Sequence, residues 1–243
     1  MVVAAQPTMK FILSRKIAQA LRQGGFFGCI IYGAQRLGKS SYAAQVMHEI
    51  YGDWGKVNDH MLFELEDVVA VLREANNKGK VIPVLTWDDC GVHGNKLLYF
   101  QNRLLVQYLS SLIDVVGVSL GGLIMTTPSP LNLLSALRGY EFYRIKVVRR
   151  DSGNGRQAIA YNSKLLPSGT RIITRDWKDN YRTLLPDEFW TPYMKKRMSY
   201  LKEGLDKLDD LVKQKIPSGR LTASLTSDIS EQDSVDRGNI EEY

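Results

Sequence analysis

The sequence predicts an α/β fold of three layers: a largely parallel sheet between helices, with a β-hairpin extension and a C-terminal helix. Three observations predict it. Short apolar runs suited to buried strands, at residues 26–32, 81–87 and 121–127, alternate with segments of helical periodicity. The first run passes directly into Gly33-Ala34-Gln35-Arg36-Leu37-Gly38-Lys39-Ser40, which fits G-x-x-x-x-G-K-S/T at every fixed position. The second run ends in the carboxylate pair Asp88-Asp89.

Taken in order, residues 8–23 read as an amphipathic helix with Ile12, Leu13, Ile17, Ala20 and Leu21 on one face, ended by Gly24-Gly25. It reads either as a cover for the sheet edge or as a basic helix facing DNA or a neighbouring subunit. The strand at 26–32 is followed by the glycine loop and a helix over 40–51. Residues 52–55 read as a turn, 61–65 as a short strand and 66–76 as a helix with Val68, Val69 and Leu72 inward. Pro83 belongs at the start of the 81–87 strand, because it cannot donate within a central one. A long helix is expected over 97–116, a strand over 121–127, and a short helix over 131–138 closed by Gly139. Residues 142–149 and 156–164 form a hairpin about Asp151-Ser152-Gly153-Asn154-Gly155. A second hairpin, 169–177 with 181–185, is expected about Lys178-Asp179-Asn180. Over 194–215 the apolar positions Met194, Met198, Leu201, Leu205, Leu208 and Val212 follow a 4-3-4-3-4 spacing. That seam serves either oligomerisation or packing against its own domain. The chain thus divides into an N-terminal helix (1–25), a core with its hairpin extension (26–190), a heptad-patterned helix (191–216) and a flexible acidic tail (217–243).

With 243 residues, 44% of them hydrophobic, the chain can fill one large core. No apolar run approaches the ~20 residues of a membrane span, and the start lacks the charged and long apolar regions of a secretory leader. Cys29 and Cys90 fall in or beside strands and read as buried thiols, able to pair only if those strands adjoin. The net charge of +6 is uneven. From Pro217 onward two basic residues stand against six acidic ones, net −4, which leaves +10 on the rest. A basic body suits a polyanion such as nucleic acid, and equally a solvated surface. Arg149, Arg150 and Arg156 on the first hairpin, with Arg171 and Arg175, could extend such a surface.

The glycine loop carries the chemistry. Gly33 and Gly38 let backbone approach phosphate oxygens, and the amides of Ala34, Gln35, Arg36, Leu37 and Ser41 with the helix N-terminus direct positive charge at them. Lys39 would reach the β- and γ-phosphates of ATP and Ser40 would hold Mg²⁺. An apolar strand ending in an acidic pair would place Asp88 on the metal and Asp89 on the attacking water. An acidic pair after such a run is also a common turn. Thr126 and Thr127 read either as sensors of the water or γ-phosphate or as strand-end caps. Arg138 and Arg103 read as finger candidates for a neighbour's nucleotide, or as surface ion pairs.

The order of these parts over 26–149 resembles the additional-strand P-loop ATPases: AAA+, DnaA-like and RecA-like. Trp87-Asp88-Asp89-Cys90-Gly91-Val92, Met125-Thr126-Thr127-Pro128 and Leu137-Arg138 look like the DnaA-like ATPases of archaeal viruses and plasmids, the fusellovirus kind. The resemblance implies ATP and Mg²⁺, sheet order 5-1-4-3-2, ATP hydrolysis, and a cytoplasmic role, in the host if viral. It implies DNA as partner, in replication initiation, helicase loading or as a motor, with a ring or dimer and a replication or packaging partner. Two other functions remain open: a nucleotide-gated interaction protein with little turnover, which Asp89 in place of the usual Glu favours, and a small-molecule kinase, which would need an arginine-rich lid.

Overall fold

A computed structural model describes residues 9–90, 111–133, 135–150 and 155–215. The apolar runs pair because each is buried on both faces and can satisfy its backbone only against another strand. β1 (Phe27–Tyr32) lies centrally, parallel to β4 (Gly122–Thr127) on one side and β5 (Tyr143–Arg149) on the other. β3 (Leu85–Trp87) adds to β4, and the two-residue β2 (Met61–Leu62) to β3, all parallel. β6 (Gly155–Leu165) runs antiparallel to β5, and β7 (Arg171–Arg182) antiparallel to β6. The seven-stranded order is β2-β3-β4-β1-β5-β6-β7, so its parallel part reads β5-β1-β4-β3-β2.

Helices cover both faces. α1 (Ile12–Arg22) and α2 (Lys39–Tyr51) bury Leu13, Ile17, Tyr42, Val46 and Met47 against one. On the other, Val68, Leu72 and Ala75 of α4 (Leu65–Asn77), Leu137 of α5 (Ser135–Gly139) and Ile113 meet Leu85, Trp87, Leu123 and Met125. α3 (Trp54–His60) links α2 to β2, and α6 (Asp187–Lys215) ends the described chain. The chain divides into two units, Met1–Lys196 and Arg197–Tyr243.

Several expectations are corrected. No hairpin turns at Lys178-Asp179-Asn180. β7 runs straight through, with Lys178 opposite Ile159 and Asp179 opposite Ala158. The polar triad has turn propensity, but Asp179 is only 5% exposed and occupied: its carboxylate accepts the amides of Ile12 (2.9 Å) and Leu13 (3.3 Å) and the Tyr42 hydroxyl (2.6 Å). It stabilises the start of α1, whose Phe11 cap offers no side-chain acceptor. The turn at 52–55 gives way to α3, because Asp53 accepts the Lys56 amide at 2.7 Å and starts a helix one residue after Gly52 closes α2. The strand expected over 81–87 contracts to β3. Ile82 makes only an isolated bridge with Leu120, and Pro83, without an N–H, separates the two. Residues 131–138 split into a 3₁₀ turn, Pro130–Asn132, and α5. α6 begins at Asp187 and carries Pro192 inside it.

Within 97–116, helix is described over 111–115, and Arg103 lies outside the described residues, as do 151–154 and 217–243. Cys29 and Cys90 are buried free thiols. Among the described residues no helix is long and apolar enough to cross a membrane.

Candidate functional site

β1 delivers the chain into the glycine loop at the carboxyl ends of the parallel strands, where open α/β sheets place ligands. The loop needs its glycines. A Cβ at Gly33 (φ 148°) would lie 2.7 Å from the Val147 carbonyl oxygen, and one at Gly38 (φ 90°) 2.4 Å from the Thr183 methyl. Arg36 also takes a left-handed conformation, φ 60°. Ala34, Gln35 and Arg36 are exposed, while Leu37 and Ser40 are half-buried. α2 follows without any side-chain cap, so its N-terminus keeps its positive end for another acceptor. Lys39 is only 6% exposed and its ammonium donates to the carbonyls of Gly33 (3.0 Å) and Ala34 (3.1 Å). Ser41 is buried, its carbonyl accepting from the Gln45 side-chain Nε2 at 3.0 Å.

Asp88 stands one residue beyond β3, its amide donating to the Leu62 carbonyl at 2.7 Å, and its side chain is fully buried. Oδ1 accepts from Ser40 Oγ at 3.0 Å and from Thr126 Oγ1 at 2.5 Å; Oδ2 accepts from the Tyr193 hydroxyl at 2.6 Å. Thr126 in turn accepts the Asp89 amide at 2.9 Å. One threonine at the end of β4 therefore ties both members of the acidic pair, and Asp89 is held at φ 49°, half-buried. Burial, with the neighbouring charges of Asp88 and Asp89, pushes the Cys90 thiol far up. It stays protonated and donates to the Thr126 carbonyl.

The structure thus joins Ser40, Asp88 and Thr126 in one hydrogen-bonded cluster, to which Asp89 is attached through its amide. Thr127 is buried too, but its hydroxyl donates to the Ser129 carbonyl at 3.0 Å. Arg138 is half-buried in α5.

Sequence reasoning missed three contributors, all from 181–193. The Tyr181 hydroxyl donates to the Gly38 carbonyl at 3.1 Å, Thr183 packs on Gly38, and Tyr193 holds Asp88. A cavity of about 1190 Å³ opens beside them, lined by Tyr181, Thr183, Lys10, Arg150, Arg182 and Trp190 among others. Of the arginines expected to form a basic surface, Arg149, Arg150 and Arg175 are exposed and Arg156 is half-buried.

Compared with known proteins, the chain matches no family model. It is similar to the uncharacterized protein B-251 of Sulfolobus spindle-shape virus 1, 28% identical over 219 residues, covering 82% of this chain and 85% of that one. It is also similar to the uncharacterized protein ORF286 of Acidianus two-tailed virus, 30% identical over 183 residues, 71% of this chain and 63% of that protein. Among solved structures it is similar to the N-terminal domain of zonular occludens toxin from Neisseria meningitidis, with 12% identity, a TM-score of 0.40, and coverage of 62% of this chain and 95% of that one.

Proposed function

We propose that this protein is a P-loop ATPase that binds ATP with Mg²⁺ at residues 33–41 and hydrolyses it to ADP and phosphate. The observation that carries the reading is the hydrogen bond from Ser40 Oγ to Asp88 Oδ1. It joins the hydroxyl of the glycine loop to a strand-end carboxylate 48 residues away, the two oxygens one hard divalent cation would need side by side. The residues fit both groups: an uncapped helix N-terminus and a buried ammonium suit a polyphosphate, and all-oxygen donors suit magnesium. The loop amides and Lys39 would hold the phosphates, Ser40 and Asp88 the metal. When bound, Mg²⁺ supplies charge neutralisation on the phosphates. Asp89, fixed through its amide to Thr126, is the carboxylate that orients water. The parallel order β5-β1-β4-β3-β2 supports the additional-strand class, and with it the DnaA-like resemblance.

The proposal extends to DNA as the partner, in replication initiation, helicase loading or translocation for a virus or plasmid. The basic body and the exposed Arg149, Arg150 and Arg175 support this, as do the viral sources of the similar proteins. The test is ATP turnover with and without single- and double-stranded DNA, in wild type and Lys39→Ala, with mass in solution measured with ATP. Turnover lost in Lys39→Ala and raised by DNA is expected; clean basal turnover indifferent to every nucleic acid removes the DNA half. A second reading, a nucleotide-gated interaction protein, is favoured by the shorter Asp89 where a glutamate would reach further. ATP binding without turnover in wild type selects it.

A further inference from the structure

We propose that Tyr193 is a positioning residue for Asp88, which makes the first turns of α6 part of the metal side of the site. This deepens the ATPase reading and rests on it. Tyr193 is 1% exposed, and its hydroxyl donates to Asp88 Oδ2 at 2.6 Å. The other carboxylate oxygen already accepts from Ser40 and Thr126. The two oxygens are therefore distinguished: Oδ1 faces the loop serine, and Oδ2 is gripped from a different element. Asp88 is fully buried, so no bulk water replaces a missing donor, and the carboxylate would turn about its Cβ–Cγ bond. A charge-assisted bond of this length fixes that torsion.

The ring that carries the hydroxyl is itself seated. It stacks on Phe189 at 5.3 Å between centroids and tilts against Phe63 at 5.6 Å. Phe189 packs on Trp54 of α3, its carbonyl accepts from Asn58, and Lys196 donates to the Asn58 carbonyl at 2.6 Å. A phenylalanine would satisfy this aromatic packing as well as a tyrosine, so the hydroxyl is there for the carboxylate. Upstream, Tyr181 donates to Gly38, and Gln45 of α2 donates to the Arg182 carbonyl at 2.8 Å. The stretch from Tyr181 to Tyr193 thus touches the phosphate side of the site at one end and the metal side at the other. Whatever loosens α6 from α3 loosens Asp88.

Tyr193→Phe in the full chain tests this. ATP affinity is measured by calorimetry with and without Mg²⁺, and the ratio of the two dissociation constants is compared with wild type, so a general loss of affinity cancels. Loss of an outer-shell partner of a metal ligand typically costs tenfold or more in metal affinity, so the Mg²⁺-dependent gain should fall about tenfold. An unchanged ratio with only a lowered melting temperature makes Tyr193 a packing residue and overturns the proposal. Should the variant fail to fold, hydrogen exchange on wild type decides. Amides of 187–196 are expected to gain protection with Mg²⁺–ATP beyond that with ATP alone, and equal protection overturns the proposal. Wild type that binds no ATP under either condition overturns the ATPase reading itself, a result distinct from an unchanged ratio.

Discussion

Replacing Asp179 with alanine tests the correction the structure makes to the second hairpin. The substitution strips the acceptor from three donors: the Ile12 amide, the buried Leu13 amide and the buried Tyr42 hydroxyl. Each buried donor left unsatisfied costs about 1–3 kcal/mol, and water can reach the Ile12 amide, which lies in a part-buried bond. The expected loss from the two buried donors is about 2–6 kcal/mol, a large fraction of the ~5–15 kcal/mol that holds a domain folded. Tyr42→Phe removes one bond to a charged acceptor and should cost about 1.5–3 kcal/mol. The double variant should lose less than the sum by about 1–2 kcal/mol, because it no longer buries an orphaned hydroxyl. Chemical denaturation at neutral pH measures all three. A loss under about 1 kcal/mol for Asp179→Ala would mean that this carboxylate is solvated, as in an exposed turn, and would refute the account of how α1 is fixed to β7.

Gly38→Ala should weaken ATP binding and stability together, since the new methyl meets both φ 90° and the Thr183 methyl; adding Thr183→Ser should recover the steric part alone, as read by melting temperature. Thr126→Val removes the donor to Asp88 and the acceptor of the Asp89 amide, and should lower turnover at saturating ATP more than it lowers ATP affinity; equal losses would place Thr126 outside the reacting end of the site. Burial, then the Asp179 charge beside it, holds the Tyr42 hydroxyl well above its ordinary value of 10. The unfolded chain loses that proton from about pH 10 while the folded chain keeps it, so stability should be intact below pH 10 and fall as pH rises beyond it. Denaturation midpoints between pH 8 and 11 check this, and a flat profile contradicts it.

The α/β class, the junction of β1 with the glycine loop and α2, and the acidic pair after β3 are legible in the sequence because each is local. A strand buried on both faces has to be apolar along its length. A loop that turns at Gly33 and Gly38 has to lack side chains there, and a helix has to repeat its apolar residues at three and four. These are constraints within one or two turns of chain. The partners of the acidic pair are not of that kind. Tyr193 reaches Asp88 across 105 residues, Tyr181 reaches Gly38 across 143, and Asp179 reaches the Ile12 amide across 167.

Nothing near Tyr193 distinguishes a tyrosine whose hydroxyl meets a carboxylate from one whose hydroxyl meets water. The same holds for Lys178-Asp179-Asn180, whose local preference is a turn until β6 pairs along its whole length and α1 brings two amides to the aspartate. The choice between Thr126 and Thr127 is likewise tertiary. Adjacent residues of a strand face opposite sides of the sheet, and only the packing of β3 beside β4 determines which hydroxyl meets Asp88. What this sequence determines alone is where backbone can turn, pair and coil. Which side chains then share a buried space is decided when distant segments close on one another, because a hydrogen bond depends on separation in space and leaves no periodicity in the chain that makes it.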